Sequence, residues 1–229
     1  VGVAGFVALL TLGRYTAASA HVLEAETVSA QGRELLEQDE LSQSERAEML
    51  VTASNLYGRA VVLSPSNDVL HRRASLIVSQ YVEYLAEQYN KTDIEGEKQD
   101  LFDEISTYIE IVVEESKRAT DINPEVYANW GARSSTYSKL VGLGLNSYSR
   151  SALTAMQNAA ALNPLNYELY YNAAQLYVVN DDNESALRTL SQVFTINPDH
   201  VPSLVLAGEL ATVEGDLSQA QRYFEDAKS

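Results

Sequence analysis

Apolar residues along this chain return at intervals of three and four, and no stretch alternates apolar with polar well enough for a strand. Steps of three and four put side chains on one face of a helix, so the pattern predicts an all-α chain. One spacing recurs within it: a small or apolar residue, the next four on, the next three on, and a proline five further. It reads Ala53, Tyr57, Ala60, Pro65, then Ala152, Met156, Ala159, Pro164, then Ala186, Leu190, Val193, Pro198. A weaker copy, Val112, Ser116, Ala119, Pro124, fills the gap, and Ala220, Phe224, Ala227 begins another without its proline. A proline at that point stops one helix and allows the next to start. Helix, stop and helix at a fixed period describe a solenoid.

The predicted elements follow from this periodicity. One long helix covers Val1 to about Glu37, apolar all round over Val1–Gly13 and then amphipathic through His21, Val22, Ala25, Val28 and Leu35. After the polar turn Asp39–Ser44 a helix runs to Leu63, and Asn67 or Asp68 caps another to about Tyr89. A loop over Asn90–Gly96 leads to a long helix ending near Thr120. Helices over 125–141, 147–162, 166–179, 183–196, 200–213 and 217–228 complete the chain, separated by turn residues such as DINP, LNPLN, INPD and EGD. Three regions result: the long helix at 1–38, irregular helix pairs at 39–126, and regular repeats at 127–166, 167–200 and 201–229.

The last two repeats carry a family resemblance. Pro164 and Pro198 lie 34 positions apart, the period of tetratricopeptide repeats. Trp130 and Tyr137 in one unit, Tyr170, Ala174 and Tyr177 in the next, and Leu204, Gly208, Ala211 and Gly215 before Ala220, Phe224 and Ala227 fit that family's helix pair. The chain therefore resembles the tetratricopeptide superfamily over residues 18–229, most regularly after Tyr127. This implies a superhelical solenoid of antiparallel helix pairs, here preceded by a long hydrophobic N-terminal helix. The interval of 59 from Pro65 to Pro124 departs from the period and requires longer helices or longer connections in the first half. The whole arrangement also resembles the repeat-bearing tail of bacterial O-antigen ligase-like membrane proteins, in style and not in any catalytic motif.

Charge narrows the partners. The formal net charge is −16, with 22 acids against 13 bases in residues 1–150 and 10 against 3 in 151–229. A surface so acidic repels phosphate backbones, which argues against nucleic acid. With no cysteine there is no disulfide, thiol nucleophile or thiolate-bound zinc. The histidines His21, His71 and His200 are far apart and read as surface or boundary residues, and no phosphate loop, nucleophile elbow or calcium-loop spacing occurs. Acidic runs such as Glu114-Glu115 read as solvated helix faces. Asn90-Lys-Thr92 and Asn183-Glu-Ser185 are formal glycosylation sequons. The expectation is a non-enzyme with no catalytic residues, cofactor, metal or small-molecule substrate.

In a tetratricopeptide repeat the first helix of each pair lines the concave face. That resemblance places Ala128, Gly131, Ser135 and Ser138, then Glu168, Tyr171, Gln175 and Val178, then Pro202, Val205, Glu209 and Thr212 in the groove. The positions hold no lysine or arginine to clamp a peptide carboxylate, and the groove reads as small, neutral and mildly apolar. The ends of the chain suggest complementary surfaces. Val1–Gly13 is uncharged and as a helix reaches roughly 20 Å, short of a ~30 Å hydrocarbon core, so it is either a truncated membrane span or a helix covered by protein. Its assembly positions are Val1, Val3, Phe6, Val7, Leu9, Leu10 and Leu12. Ala220, Phe224 and Ala227 are expected to form an uncapped C-terminal face. Contacts of this head-to-tail kind build rings or filaments. The reading is an extracytoplasmic, self-assembling scaffold, a homo-oligomer or filament whose N-terminal helix has a possible membrane origin. The alternatives are the tail of a membrane glycan ligase and a generic adaptor.

Overall fold

A computed structural model describes Glu24, Thr27, Ala30, Gln31 and residues 43–228. The expected long hydrophobic helix, with its seven assembly positions from Val1 to Leu12, lies outside the described residues. Among the described residues every regular element is helical, and none is long and apolar enough to cross a membrane. The chain divides into two compact units at Pro124.

The first unit contains α1 (Gln43–Leu63), α2 (Asp68–Lys91) and α3 (Glu95–Ile122), with α2 packed against both others. The interval of 59 residues is taken up by helix length, since α2 and α3 have 24 and 28 residues. The recurring positions Ala53, Tyr57 and Ala60 are buried in one cluster with Leu70, Ala74 and Ile77. A second cluster joins Leu50, Tyr81 and Leu85, with Leu101, Ile105 and Tyr108 packed on it. Asn67 is the cap that starts α2, its Oδ1 accepting from the Val69 and Leu70 amides at 3.1 and 3.3 Å.

The second unit contains three helix hairpins. These are α4 (Tyr127–Gly142) with α5 (Ser149–Leu162), α6 (Tyr167–Val179) with α7 (Asn183–Ile196), and α8 (Val201–Val213) with α9 (Leu217–Asp226). A single 3-10 turn, Asn146–Tyr148, leads into α5. Helices α5 and α7 also touch the first helix of the next pair. Small residues let the backbones approach: Ala152, Ala159, Ala174, Ala186 and Ala207 are fully buried. The closest approach is at Gly208, where an added Cβ would lie 2.6 Å from the Phe224 ring.

The Asn-Pro pairs show how each second helix stops. Asn163 and Asn197 leave the helical region, with ψ of 76° and 87°, as the residue before a proline must. Their amides still donate to the Ala159 and Val193 carbonyls at 2.9 and 2.7 Å. The proline is therefore outside the next helix, which begins three residues later. Within hairpins the tight turns use left-handed backbone at Asp181 and Gly215, with φ of 58° and 82°.

Candidate interaction grooves

The second unit has a groove lined from α4, α5 and α6. Ser135 and Ser138 of α4 and Gln175 of α6 meet around a cavity of about 320 Å³. Lys139 and Asn172 line it too. Ala128 and Gly131, a turn or more earlier on α4, are half-buried and do not line it. Val178 packs against the apolar cluster of Ala174, Leu190 and Leu210 and belongs to the core wall. Val205 and Glu209 on α8 are exposed, as are Pro202 and Thr212.

Around Tyr171 the groove is acidic. Its hydroxyl accepts from Gln175 Nε2 at 3.2 Å, and its ring meets the edge of His200 at 5.1 Å between centroids. Burial, then the nearby carboxylates of Glu168 and Glu209, hold the Tyr171 phenol above its ordinary range. The lining stays largely apolar through Val141, Met156, Leu176 and Val179, and the charges are the Lys139 ammonium on it and the Glu168 and Glu209 carboxylates near Tyr171. Lys139 was legible: it stands four residues after Ser135, on the same helical face.

Of the histidines expected at the surface or at a boundary, His200 is half-buried and His71 is in the core. His200 Nδ1 pairs with Ser203 Oγ at 2.7 Å, and its ring packs on Tyr167 and Tyr171. His71 is buried, 3% exposed, with Nδ1 2.5 Å from Glu115 Oε2 and Nε2 3.0 Å from the Pro65 carbonyl. Both neighbours can only accept when Glu115 is ionised, so the ring fits best as a doubly protonated imidazolium. Burial alone would lower its pKa, but the bonds to Glu115 and Pro65 and the Glu115 charge outweigh burial and the opposing Arg118, and the net shift is upward. Glu115, expected on a solvated face, is instead a half-buried partner of His71.

The first unit has a larger groove that the spacing of the repeats did not indicate. A cavity of about 770 Å³ lies between α1 and α3, over α2, with Val61, Val62 and Ile111 on its walls. Val62 is 79% exposed and Ile111 40%, which leaves two large aliphatic side chains on the walls of one groove. Glu104 and Glu115 add carboxylates. Tyr81 donates its hydroxyl to Glu104 at 2.8 Å, and burial followed by that bond pushes its phenol well up. Glu24, from the first part of the chain, also lines this groove and pairs with Arg59 at 3.7 Å.

The expected uncapped face is placed differently by the structure. Ala220 is buried, Phe224 is half-buried against Gly208, and Ala227 is half-buried. Those side chains close the α8–α9 hairpin. The apolar groups that this hairpin exposes are Val213 and Leu217, at 74% and 68%. Among the described residues no three His, Cys, Asp or Glu side chains gather as they would around a metal.

Paired helices, small residues at the crossings and grooves between neighbouring helices define a helical-repeat scaffold for protein–protein interaction. Residues 150–207 match the tetratricopeptide repeat family. Over those residues the chain carries tetratricopeptide repeat sequence, and its described helices have a tetratricopeptide-like fold. No curated protein sequence matches it. Among solved structures it is similar to a MamA protein at 13% identity, TM-score 0.59, over 92% of this chain and 90% of that one. MamA 41-end from Desulfovibrio magneticus RS-1 aligns at 10% identity and TM-score 0.62, over 90% and 93%. PilW, described as a widely conserved type IV pilus biogenesis factor, aligns at 15% and 0.56, over 89% and 76%. At such identities the likeness is one of fold.

Proposed function

We propose that this protein is a non-enzymatic scaffold that assembles with copies of itself outside the cytoplasm, its Val1–Gly13 segment packing into the first-unit groove of a neighbouring subunit. The observation that carries the reading is that groove, with Val62 and Ile111 left exposed on its walls. Val1–Gly13 supplies a matching occupant, because it carries no charge and Val1, Phe6, Leu9 and Leu10 are all apolar. Glu24 lines the same groove. Burying such a segment removes aliphatic area from water at both surfaces, at roughly 25 cal/mol per Å² before ordering costs. The likeness to PilW, a pilus biogenesis factor, supports an extracytoplasmic setting for the assembly.

Light scattering and electron microscopy of the intact chain test this. Rings or filaments are expected, and both deletion of residues 1–13 and the exposed double substitution Val62→Asp with Ile111→Asp should return monomers. An intact chain that stays monomeric at micromolar concentration overturns the reading, as do polymers that persist in both variants.

A further inference from the structure

Three carboxylates line the first-unit groove, and each has a partner on the protein. Glu24 pairs with Arg59 at 3.7 Å, Glu104 accepts from the Tyr81 hydroxyl at 2.8 Å, and Glu115 meets His71. Arg59 keeps its charge at any ordinary pH. Tyr81 has no charge to offer near neutrality, and burial pushes its phenol well up. Tyr108, also on the wall, has its phenol raised by burial and then by Glu104. Of these partners only His71 gains and loses a proton between about pH 6 and 9. We propose that the His71–Glu115 pair makes docking in this groove proton-dependent: a neighbouring subunit's Val1–Gly13 segment is held at acidic to neutral pH and released as pH rises. The inference rests on the assembly reading and names what regulates the same site.

The pair is built in depth. Glu115 is on the groove wall with 16% of its side chain exposed, and that remainder is what a docked segment covers. His71 is set behind it, with Nδ1 2.5 Å from Glu115 Oε2 and Nε2 3.0 Å from the Pro65 carbonyl. The carbonyl can only accept, so one ring proton is fixed on Nε2 and the second, on Nδ1, is the one that meets Glu115. When that second proton leaves, a nitrogen lone pair faces a carboxylate oxygen and Glu115 loses its counter-charge. With the imidazolium, two cations stand against three groove carboxylates. Without it, Arg59 alone stands against three.

The other charged and titratable groups around the pair do not replace that proton. From α3, Arg118 lies near enough to act on the ring, but it is held by Glu114 at 2.9 Å and opposes the imidazolium. From α1, Arg59 reaches the groove beside Glu24, and Tyr57 is buried in the core cluster with Ala74. On α2 itself Asp68 and Arg72 are within a turn of the ring.

An apolar segment laid over Glu115 removes the water around its outer oxygen. A carboxylate paired with an imidazolium bears that loss better than one whose partner is neutral, because their attraction strengthens as water is excluded. Docking therefore raises the pKa of His71 further, and above the pKa of the open groove it takes up a proton. By linkage the affinity is flat below that pKa, falls by at most about tenfold per pH unit above it, and levels off beyond the docked pKa.

Light scattering of the intact chain over a dilution series, at constant salt from about pH 6 to 9, reads this affinity. The concentration for half-assembly should rise on the order of tenfold across that range. His71→Gln and Glu115→Gln, with folding checked by circular dichroism, should each lose that rise, and either one suffices if the other fails to fold. Glu104→Gln removes a groove charge whose partner does not titrate, so it should strengthen assembly at every pH and keep the native slope. Every other titrating group, His21 and His200 included, is common to these chains and cancels between them. Assembly that ignores pH overturns the proton coupling and leaves the assembly reading standing. So does a native slope in a folded His71→Gln or Glu115→Gln, or a flat profile in Glu104→Gln. No assembly at any pH overturns both.

Discussion

Replacing His71 by Gln should turn a pH-dependent stability into a nearly flat one. In the native protein the ring donates to Glu115 and to the Pro65 carbonyl, and is 3% exposed. Its pKa is raised from 6.5, so between that value and the folded one the native state holds a proton that the unfolded chain releases. The stabilisation is fully present below about pH 6.5 and is lost as pH rises through the folded pKa. Its slope can reach, but not exceed, about 1.4 kcal/mol per pH unit for one proton. A charge-assisted bond of this kind contributes roughly 1.5–3 kcal/mol. Glutamine can still donate to Pro65, but it carries no charge for Glu115. Urea unfolding of both proteins across about pH 6 to 9, taken as a difference at each pH, cancels every other titration. The gap should be largest at the acid end and shrink as pH rises. A gap that stays constant over that range would refute an imidazolium at this position.

Two further outcomes test the packing and the caps. Gly208→Ala gains about 1 kcal/mol of helix propensity but drives its Cβ to within 2.6 Å of the Phe224 ring, so a net loss of about 1–2 kcal/mol is expected from thermal unfolding. Gly58→Ala, with nothing within 4 Å of the new Cβ, should instead stabilise by about 0.5–1 kcal/mol, and equal signs for the two would remove the steric argument. Asn67→Ala should cost about 1 kcal/mol, since it leaves the Val69 and Leu70 amides without their side-chain acceptor. Hydrogen exchange at those amides should rise with it.

The repeats were legible because their causes are local. Ala53, Ala60, Ala152, Ala159 and Ala186 are small where helices cross, and a residue before proline must leave the helix whatever surrounds it. The lengths of α2 and α3 were legible in the bounds set by Asn67 or Asp68, Tyr89 and Thr120 and in the surplus of the proline spacing. His71 and Glu115 were not legible, because 44 residues separate them and nothing in either neighbourhood marks a partner. A histidine on an amphipathic helix reads the same whether its face is covered or wet. The first-unit groove was hidden for a related reason. Val62 and Ile111 look like core residues by type, and only the packing of α1, α2 and α3 leaves them on the outside.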